Sequence, residues 1–175
     1  MPYAIELFLD DEADHRVRQI WTALDGHGVP ALGSVPGAGY HPHVSLSVFE
    51  GGDPAGTAEA LRPILATSVG MPLPLASLGF FLTDESVAFL GVIPSARFLA
   101  LHHAVHSALE PSAADVWPYY HPDALVPHCT LATGVTDRAR VLEVVASFSL
   151  PVAARVAAAN LIEVPGGRIG SRLTA

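Results

Sequence analysis

Alternating apolar and polar positions in the first half of the chain predict two strands, each followed by a helix. Residues 3–9 and 43–49 alternate with a period of about two and are rich in strand-forming side chains. Residues 11–25 place apolar side chains at helical spacing after an acidic first turn, which is typical of an amphipathic helix. Asp53-Pro54 is a favoured helix start, so a second helix is expected to about residue 67.

The second half of the chain predicts a hairpin followed by further helices and strands. Two apolar runs, 72–82 and 86–93, are joined by polar turn residues and therefore predict a β-hairpin. Ser95 can cap a helix that runs to about Leu109. The remaining predicted elements are a strand at 128–134, a helix at 136–147, a final strand or pair of strands at 150–163 and a mobile tail at 166–175. Such an order is typical of an α+β or α/β fold.

Two short segments share one pattern and one context. His43-Val44-Ser45-Leu46 and His128-Cys129-Thr130-Leu131 both read His-x-(Ser/Thr)-Leu. Each opens a predicted strand that follows an irregular loop, residues 29–42 or 111–127, and precedes a predicted helix. They lie about half the chain apart, so the second half repeats the first at this level. A single His-x-Ser or His-x-Thr arises easily by chance, whereas a pair in equivalent positions is more specific.

The paired motifs supply the groups that acid–base catalysis needs. Residues i and i+2 of a strand point to the same face, so His43 projects with Ser45 and His128 with Thr130. If the halves are related by a pseudo-twofold axis, the two imidazoles face each other across a cleft. One histidine can then remove a proton from the attacking group and the other can protonate the leaving oxygen, while the hydroxyls stabilise the phosphoryl oxygens. The pattern predicts phosphodiester cleavage and leaves open which histidine is the acid.

The motifs resemble those of the two-histidine phosphoesterase superfamily, which includes the 2′-5′ RNA ligase or LigT-like proteins and cyclic-nucleotide phosphodiesterases. The stretch from Phe80 to Leu109 also resembles the middle of such proteins, and the resemblance covers residues 3 to about 163. It implies a bilobal α+β LigT-like fold over residues 1–175, with pseudo-twofold β-α-β units and antiparallel sheets that line a central cleft. It implies no cofactor and no metal, a catalytic pair of His43 and His128, and phosphate-binding hydroxyls on Ser45 and Thr130.

The resemblance also implies an activity. The expected reaction is hydrolysis of a 2′,3′-cyclic phosphate or a 2′-5′ phosphodiester in a nucleotide or at an RNA end. Ala132 and Thr133 stand where some members of the family carry an arginine, which argues against ligation and against tight tRNA binding. Two alternatives stay open: a non-catalytic module that binds a nucleotide or RNA end on the same fold, and RNA 2′-5′ ligase activity.

The charge balance favours a small partner. Seventeen acidic residues oppose nine arginines, there is no lysine, and the formal net charge is −8. A grip on long nucleic acid usually needs a basic face, because affinity comes largely from phosphate neutralisation. We therefore expect the partner to be a small nucleotide or an RNA 3′-end with a cyclic phosphate. The protein itself is expected to be a monomer. No apolar run reaches the roughly 18 residues that cross a membrane, and the N-terminus lacks a basic signal-peptide region, so a cytoplasmic location is the default.

Residues in the two loops before the motifs are further candidates. Tyr40, His41, Tyr120 and His121 can stack on a base or contact a phosphate, and loop packing is the alternative interpretation. A metal site built from His41 and His43 with His121 or His128 is a further alternative. The hydroxyl residue that follows each motif histidine favours acid–base use instead.

Several other residues receive structural predictions. His102, His103 and His106 are expected on a solvated helix face, although His102 and His106 have the i, i+4 spacing that zinc sites use. The family resemblance also suggests that His103 packs between the lobes. Phe80 and Phe81 are adjacent on the predicted hairpin and point to opposite faces, so one of them could line the cleft, but the core is the favoured place for both. Cys129 alternates away from its neighbouring motif residues and is also expected to face the core.

Overall fold

The computed structural model describes residues 1–112 and 115–174, which contain eight strands and four α-helices. The strands are β1 (Tyr3–Leu9), β2 (His43–Glu50), β3 (Leu75–Phe81), β4 (Val87–Val92), β5 (Asp115–Val116), β6 (His128–Ala132), β7 (Val156–Glu163) and β8 (Arg168–Arg172). The helices are α1 (Asp11–Gly26), α2 (Pro54–Ala66), α3 (Ala96–Leu109) and α4 (Arg138–Val145).

The strands form two antiparallel sheets. The larger sheet has the order β5-β2-β1-β7-β8, and the smaller has the order β3-β4-β6. β1-α1-β2 and β4-α3-β6 are equivalent units, and a motif histidine opens the last strand of each. The α+β fold with antiparallel sheets and duplicated β-α-β units is therefore confirmed.

The two halves of the sequence exchange one strand with each other. β3 follows α2 of the first half but pairs with β4 of the second. β7 follows α4 of the second half but pairs with β1 of the first. Each sheet is thus completed by a strand from the other half of the chain, so the lobes do not coincide with the halves of the sequence.

Helix α1 connects the first unit to the motif strand of the second. It begins after Asp10, whose carboxylate accepts a hydrogen bond from the amide of Ala13 and so satisfies a free helix donor. Its apolar face is buried in the main core, and this face includes Trp21. The indole Nε1 of Trp21 donates to the backbone carbonyl of Thr130 at 3.3 Å. The helix therefore helps to fix the second motif relative to the first sheet.

The end of the chain is more ordered than its composition predicts. The tail predicted to be mobile instead forms β8, which pairs with β7, and the following Leu173 is only 2% exposed. Backbone pairing to β7 and burial of one leucine hold this segment in place, and neither is visible in a Gly- and Arg-rich sequence. The last residue of the tail, Ala175, lies outside the described residues.

The prediction of a solvated face on α3 is wrong for His102. This residue is 1% exposed, and its Nε2 donates to the backbone carbonyl of Tyr120 at 2.9 Å. The partner comes from the loop that precedes β6, which folds back over α3. His103 is exposed, so the suggestion that it packs between the lobes is also wrong.

The loop predicted at 111–127 contains some regular structure. β5 within it pairs with the end of β2, and Pro118–Tyr120 form a 3-10 helix. Residues 113 and 114 of this loop lie outside the described residues. Within the described chain, no helix has the length and apolar character that crossing a membrane requires.

Candidate active site

The two motif strands meet between the sheets. The backbone of His43 hydrogen-bonds to the buried thiol of Cys129, the residue between His128 and Thr130 of the second motif. The imidazoles are close enough that a positive charge on His43 lowers the pKa of His128. The structure therefore brings together two segments that are separated by half of the sequence.

Both motif imidazoles are held in the same orientation. Nδ1 of His43 lies 2.7 Å from the backbone carbonyl of His41, and Nδ1 of His128 lies 2.7 Å from that of Val126. A carbonyl oxygen only accepts hydrogen bonds, so Nδ1 carries the proton in each ring. In both residues Nε2 is then the nitrogen that can gain or lose a proton during a reaction.

A carboxylate contacts the first histidine. Oε1 of Glu6 lies 3.3 Å from Nε2 of His43, and the side chains are 7% and 11% exposed. Burial raises the pKa of Glu6, and the charge of His43 opposes this effect. Glu6 is not among the site residues predicted from the sequence. The available signal was one acidic residue within the otherwise largely apolar strand 3–9, on the face opposite to the buried Ile5 and Leu7.

Aromatic rings surround the second histidine. The imidazole of His128 lies 4.9 Å from the ring of Phe81, edge to face, and 5.1 Å from that of Phe89. Burial lowers the pKa of His128, the hydrogen bond to the Val126 carbonyl raises it, and the nearby His43 lowers it further. Phe81 thus lies at the site rather than in the core, whereas Phe80 packs against the core as predicted.

The motif hydroxyls lie on the same face of their strands as the histidines. In the first sheet Ser45 pairs with Glu6 across β1 and β2, two pairs away from the pair formed by His43 and Phe8. The Ser45 side chain also hydrogen-bonds to Tyr120. Burial raises the pKa of Tyr120 to about 12, and the hydrogen bond to Ser45 opposes this effect. Tyr120, predicted as a substrate-lining residue, therefore contacts a motif side chain.

The other three loop candidates have partners in different parts of the chain. His41 is exposed, stacks on Phe8 at 5.0 Å and lies 3.1 Å from the guanidinium of Arg18. The hydroxyl of Tyr40 accepts a hydrogen bond from the amide of Gly166 at 3.3 Å. His41 is thus beside the first motif, while the Tyr40 hydroxyl is engaged with the loop between β7 and β8.

His121 lies against α3. Its imidazole is 5.0 Å from that of His106, and its Nε2 donates to the carbonyl of Val116 at 3.3 Å. Within the described residues, no group of three or more His, Cys, Asp or Glu side chains is placed to hold a metal ion. Cys129 is fully buried, as predicted, and burial raises the pKa of its thiol to about 12.

The chain resembles known proteins in both sequence and fold. A family model described as the 2′-5′ RNA ligase superfamily matches residues 9–168. A solved phosphoesterase aligns with a TM-score of 0.62 at 16% identity, over 99% of this chain and 98% of its own. LigT of E. coli, solved with 3′-AMP, aligns with a TM-score of 0.57 at 18% identity, over 97% and 92% of the two chains. The PDE domain of MHV ns2 aligns with a TM-score of 0.50 at 19% identity, over 76% and 84%.

No curated protein matches the chain. The family match nevertheless spans most of its length, and the solved structures share its fold. The resemblance first noted in the paired motifs is therefore confirmed, and the chain belongs to the 2′-5′ RNA ligase superfamily of two-histidine phosphoesterases.

Proposed function

We propose that this protein is a metal-independent phosphodiesterase that hydrolyses a 2′,3′-cyclic phosphate or a 2′-5′ phosphodiester of a nucleotide or RNA end. The observation that carries the proposal is the matched orientation of His43 and His128. Each donates from Nδ1 to a backbone carbonyl at 2.7 Å, which leaves Nε2 for the proton transfers. Two such nitrogens, each with a hydroxyl two residues further on, meet the needs of a phosphodiester displacement.

The proposed reaction moves one proton at each histidine. One Nε2 accepts a proton from water while the water oxygen forms its bond to phosphorus. The other Nε2 gives a proton to the leaving ribose oxygen while that oxygen separates from phosphorus. The hydroxyls of Ser45 and Thr130 donate hydrogen bonds to the non-bridging oxygens, whose charge grows in the transition state. Because these four side chains supply both proton transfers and charge stabilisation, the mechanism assigns no task to a metal.

The surroundings of the site support a small substrate. With a net charge of −8, the chain has little capacity to neutralise the phosphates of a long nucleic acid. Arg18 contacts His41 beside the first motif, although its guanidinium is also paired with Asp14. The structure of E. coli LigT with 3′-AMP supports a nucleotide phosphate as the type of ligand. Tyr120, which contacts Ser45, is the loop residue best placed to touch such a ligand.

Turnover of nucleoside 2′,3′-cyclic phosphates and 2′-5′-linked dinucleotides in EDTA tests the proposal. We expect wild-type turnover, and a loss of about 10²- to 10⁴-fold in H43A and in H128A, the range that general acid–base groups contribute. H15A is the matched control, because His15 is exposed on α1 and contacts Gln19 rather than the site. Its activity should equal that of the wild type.

Other results would favour a different function. Binding of these compounds without turnover at any pH would indicate a non-catalytic module. Joining of RNA ends without hydrolysis would indicate a ligase, and inactivation by EDTA would indicate a metal-dependent enzyme. Unchanged turnover in either histidine variant would contradict the two-histidine mechanism.

A further inference from the structure

The two sheets are equivalent in topology but differ beside the motif hydroxyls. On β1, Glu6 lies directly opposite Ser45 of the first motif. On β4, Phe89 lies directly opposite Thr130 of the second motif. Residues that face each other across antiparallel strands point to the same side of the sheet, about 5 Å apart at Cβ. A carboxylate and a phenyl ring thus occupy equivalent positions in the two halves of the site.

The strands on the other side of β1 and β4, which are β7 and β3, continue this difference. Asn160 of β7 lies opposite Glu6 and is buried, so the row across the first sheet is polar. Gly79 of β3 lies opposite Phe89, and a Cβ added to it would come within 2.4 Å of the phenyl ring. The second sheet therefore leaves room for the ring of Phe89, whereas the first surrounds a carboxylate with polar neighbours.

The two imidazoles consequently have different partners. A protonated imidazole has two N–H donors. In His43 these donors face the carbonyl of His41 and the carboxylate of Glu6, so the charged ring is matched by acceptors on both sides. In His128, Nδ1 has the Val126 carbonyl, and the ring otherwise packs against aromatic side chains that disfavour a positive charge.

We propose that Glu6 is a positioning residue that keeps a proton on Nε2 of His43, so that His43 is the general acid and His128 the general base. This assignment rests on the proposed function. It goes beyond it because the motifs themselves are symmetric and do not distinguish the two histidines. The distinction comes from β1 and β4, outside both motifs.

The assignment fixes the path of each proton. Neutral His128 takes a proton on Nε2 from the attacking water as the new P–O bond forms. His43 gives the proton on its Nε2 to the leaving oxygen, which keeps the electron pair of the broken P–O bond. The enzyme then holds its extra proton on His128, and exchange with solvent returns it to His43, where the Glu6 carboxylate again lies opposite the positive charge.

Few other ionisable groups compete with Glu6 for influence on His43. Each element around the imidazole contributes a different type of group. These are the carboxylate of Glu6 on β1, the imidazole of His128 on β6, the phenol of Tyr120 in the 3-10 helix, and, through His41, the guanidinium of Arg18 on α1, which is itself paired with Asp14. Of these, Glu6 has the contact with Nε2. Burial raises the pKa of Glu6, and the charge of His43 opposes this effect, so the two groups share a proton across this contact.

The pH dependence of kcat/KM in E6Q and E6D tests the proposal. Glutamine keeps the size of the side chain and removes its charge. We expect the alkaline limb, which reports loss of the proton from the general acid, to move down by about one pH unit or more in E6Q, as expected when an opposite charge is removed. The acidic limb should stay in place. E6D, which keeps the charge, should retain most of the wild-type profile.

A titration by NMR measures the same effect without turnover. The midpoint for the His43 imidazole should move to lower pH in E6Q, while that of His128 should change less. E163Q is the matched control, because Glu163 is also a strand carboxylate but pairs with Arg168. Its titration and rate profile should match those of the wild type.

The outcomes separate the role of Glu6 from the proposed function. If the wild type turns over substrate but the alkaline limb of E6Q does not move, or the acidic limb moves instead, the role of Glu6 is overturned. The phosphodiesterase proposal then still stands. If E6Q does not fold, E6D provides the test. An alkaline limb in E6D that is shifted as far as expected for loss of the charge would overturn the role of Glu6 equally. Absence of turnover by the wild type overturns the proposed function and the acid–base roles together.

Discussion

The ring of Phe89 packs 5.1 Å from the imidazole of His128, at the position that a carboxylate occupies beside the first motif. Because burial lowers the pKa of His128, this histidine is neutral at a lower pH than an exposed one. In F89L water should reach the imidazole more easily, and its pKa should rise. We expect the acidic limb of kcat/KM to move to higher pH by up to about one unit, with the alkaline limb unchanged.

The matched control for this experiment is F80L. Phe80 lies next to Phe81 on β3 and packs against the core instead of His128. Its substitution should lower the free energy of unfolding by about 1 kcal/mol and leave both limbs in place. An acidic limb that is the same in F89L and the wild type would contradict a role for Phe89 in setting the protonation of His128.

Removal of either motif hydroxyl should slow the reaction without abolishing binding. In S45A and in T130A we expect kcat to fall by about 10²-fold, the effect of losing one donor to a developing negative charge. T130S keeps the hydroxyl and should lie within a few-fold of the wild type. The measurement is kcat and KM for a cyclic nucleotide at the pH optimum.

Ser47 provides a control on the same strand. Its Oγ is buried and lacks a hydrogen-bond partner within the described residues, so S47A removes a hydroxyl of the same type without touching the site. Its activity should stay within about twofold of the wild type, since it contributes no transition-state contact. If S45A were as active as S47A, the phosphate-binding role of Ser45 would be wrong.

Cys129 should be unreactive despite its place inside the second motif. Its thiol is fully buried and has a pKa of about 12, so almost no thiolate forms near neutral pH. We expect a thiol-blocking reagent at pH 8 to leave both the native thiol and the activity intact, and to modify one thiol per chain after unfolding in guanidinium chloride. Rapid loss of activity in the native protein, absent from C129A, would show that the thiol is accessible.

Stability should fall on mild acidification, partly because of His102. Burial lowers the pKa of this histidine, so there is a pH range in which the unfolded chain binds a proton at His102 and the folded chain does not. The contribution is complete above the ordinary pKa of about 6.5 and is lost as the pH falls below it. In urea titrations between pH 7.5 and 5, the slope of the unfolding free energy should be shallower in H102Q by up to about 1.4 kcal/mol per pH unit.

The same titration of H15Q gives the comparison for an exposed histidine. His15 lies on the surface of α1, so its substitution should leave the slope unchanged. Equal slopes in H102Q and the wild type would mean that His102 binds its proton equally well in the folded and unfolded chains.

Local patterns predicted much of the secondary structure. α1, α3 and the hairpin of β3 and β4 follow from apolar periodicity and capping residues, which act within one element and can be read from neighbouring positions. The predicted helix at 136–147 is longer than the observed one, because Asp137 caps the helix and α4 runs only from Arg138 to Val145. β8 was missed because it is held by pairing to β7 rather than by its own composition.

The sequence by itself determined the two motifs, the strand face that joins each histidine to its hydroxyl, and an acidic net charge of −8. These depend on spacing along the chain and on composition. Only the tertiary structure decided the exchange of β3 and β7 between the sheets and the contacts of Glu6 with His43 and of Phe89 with His128. Those contacts depend on strand register and on packing between distant segments, which no local pattern fixes. Two equivalent motifs thereby acquire different environments.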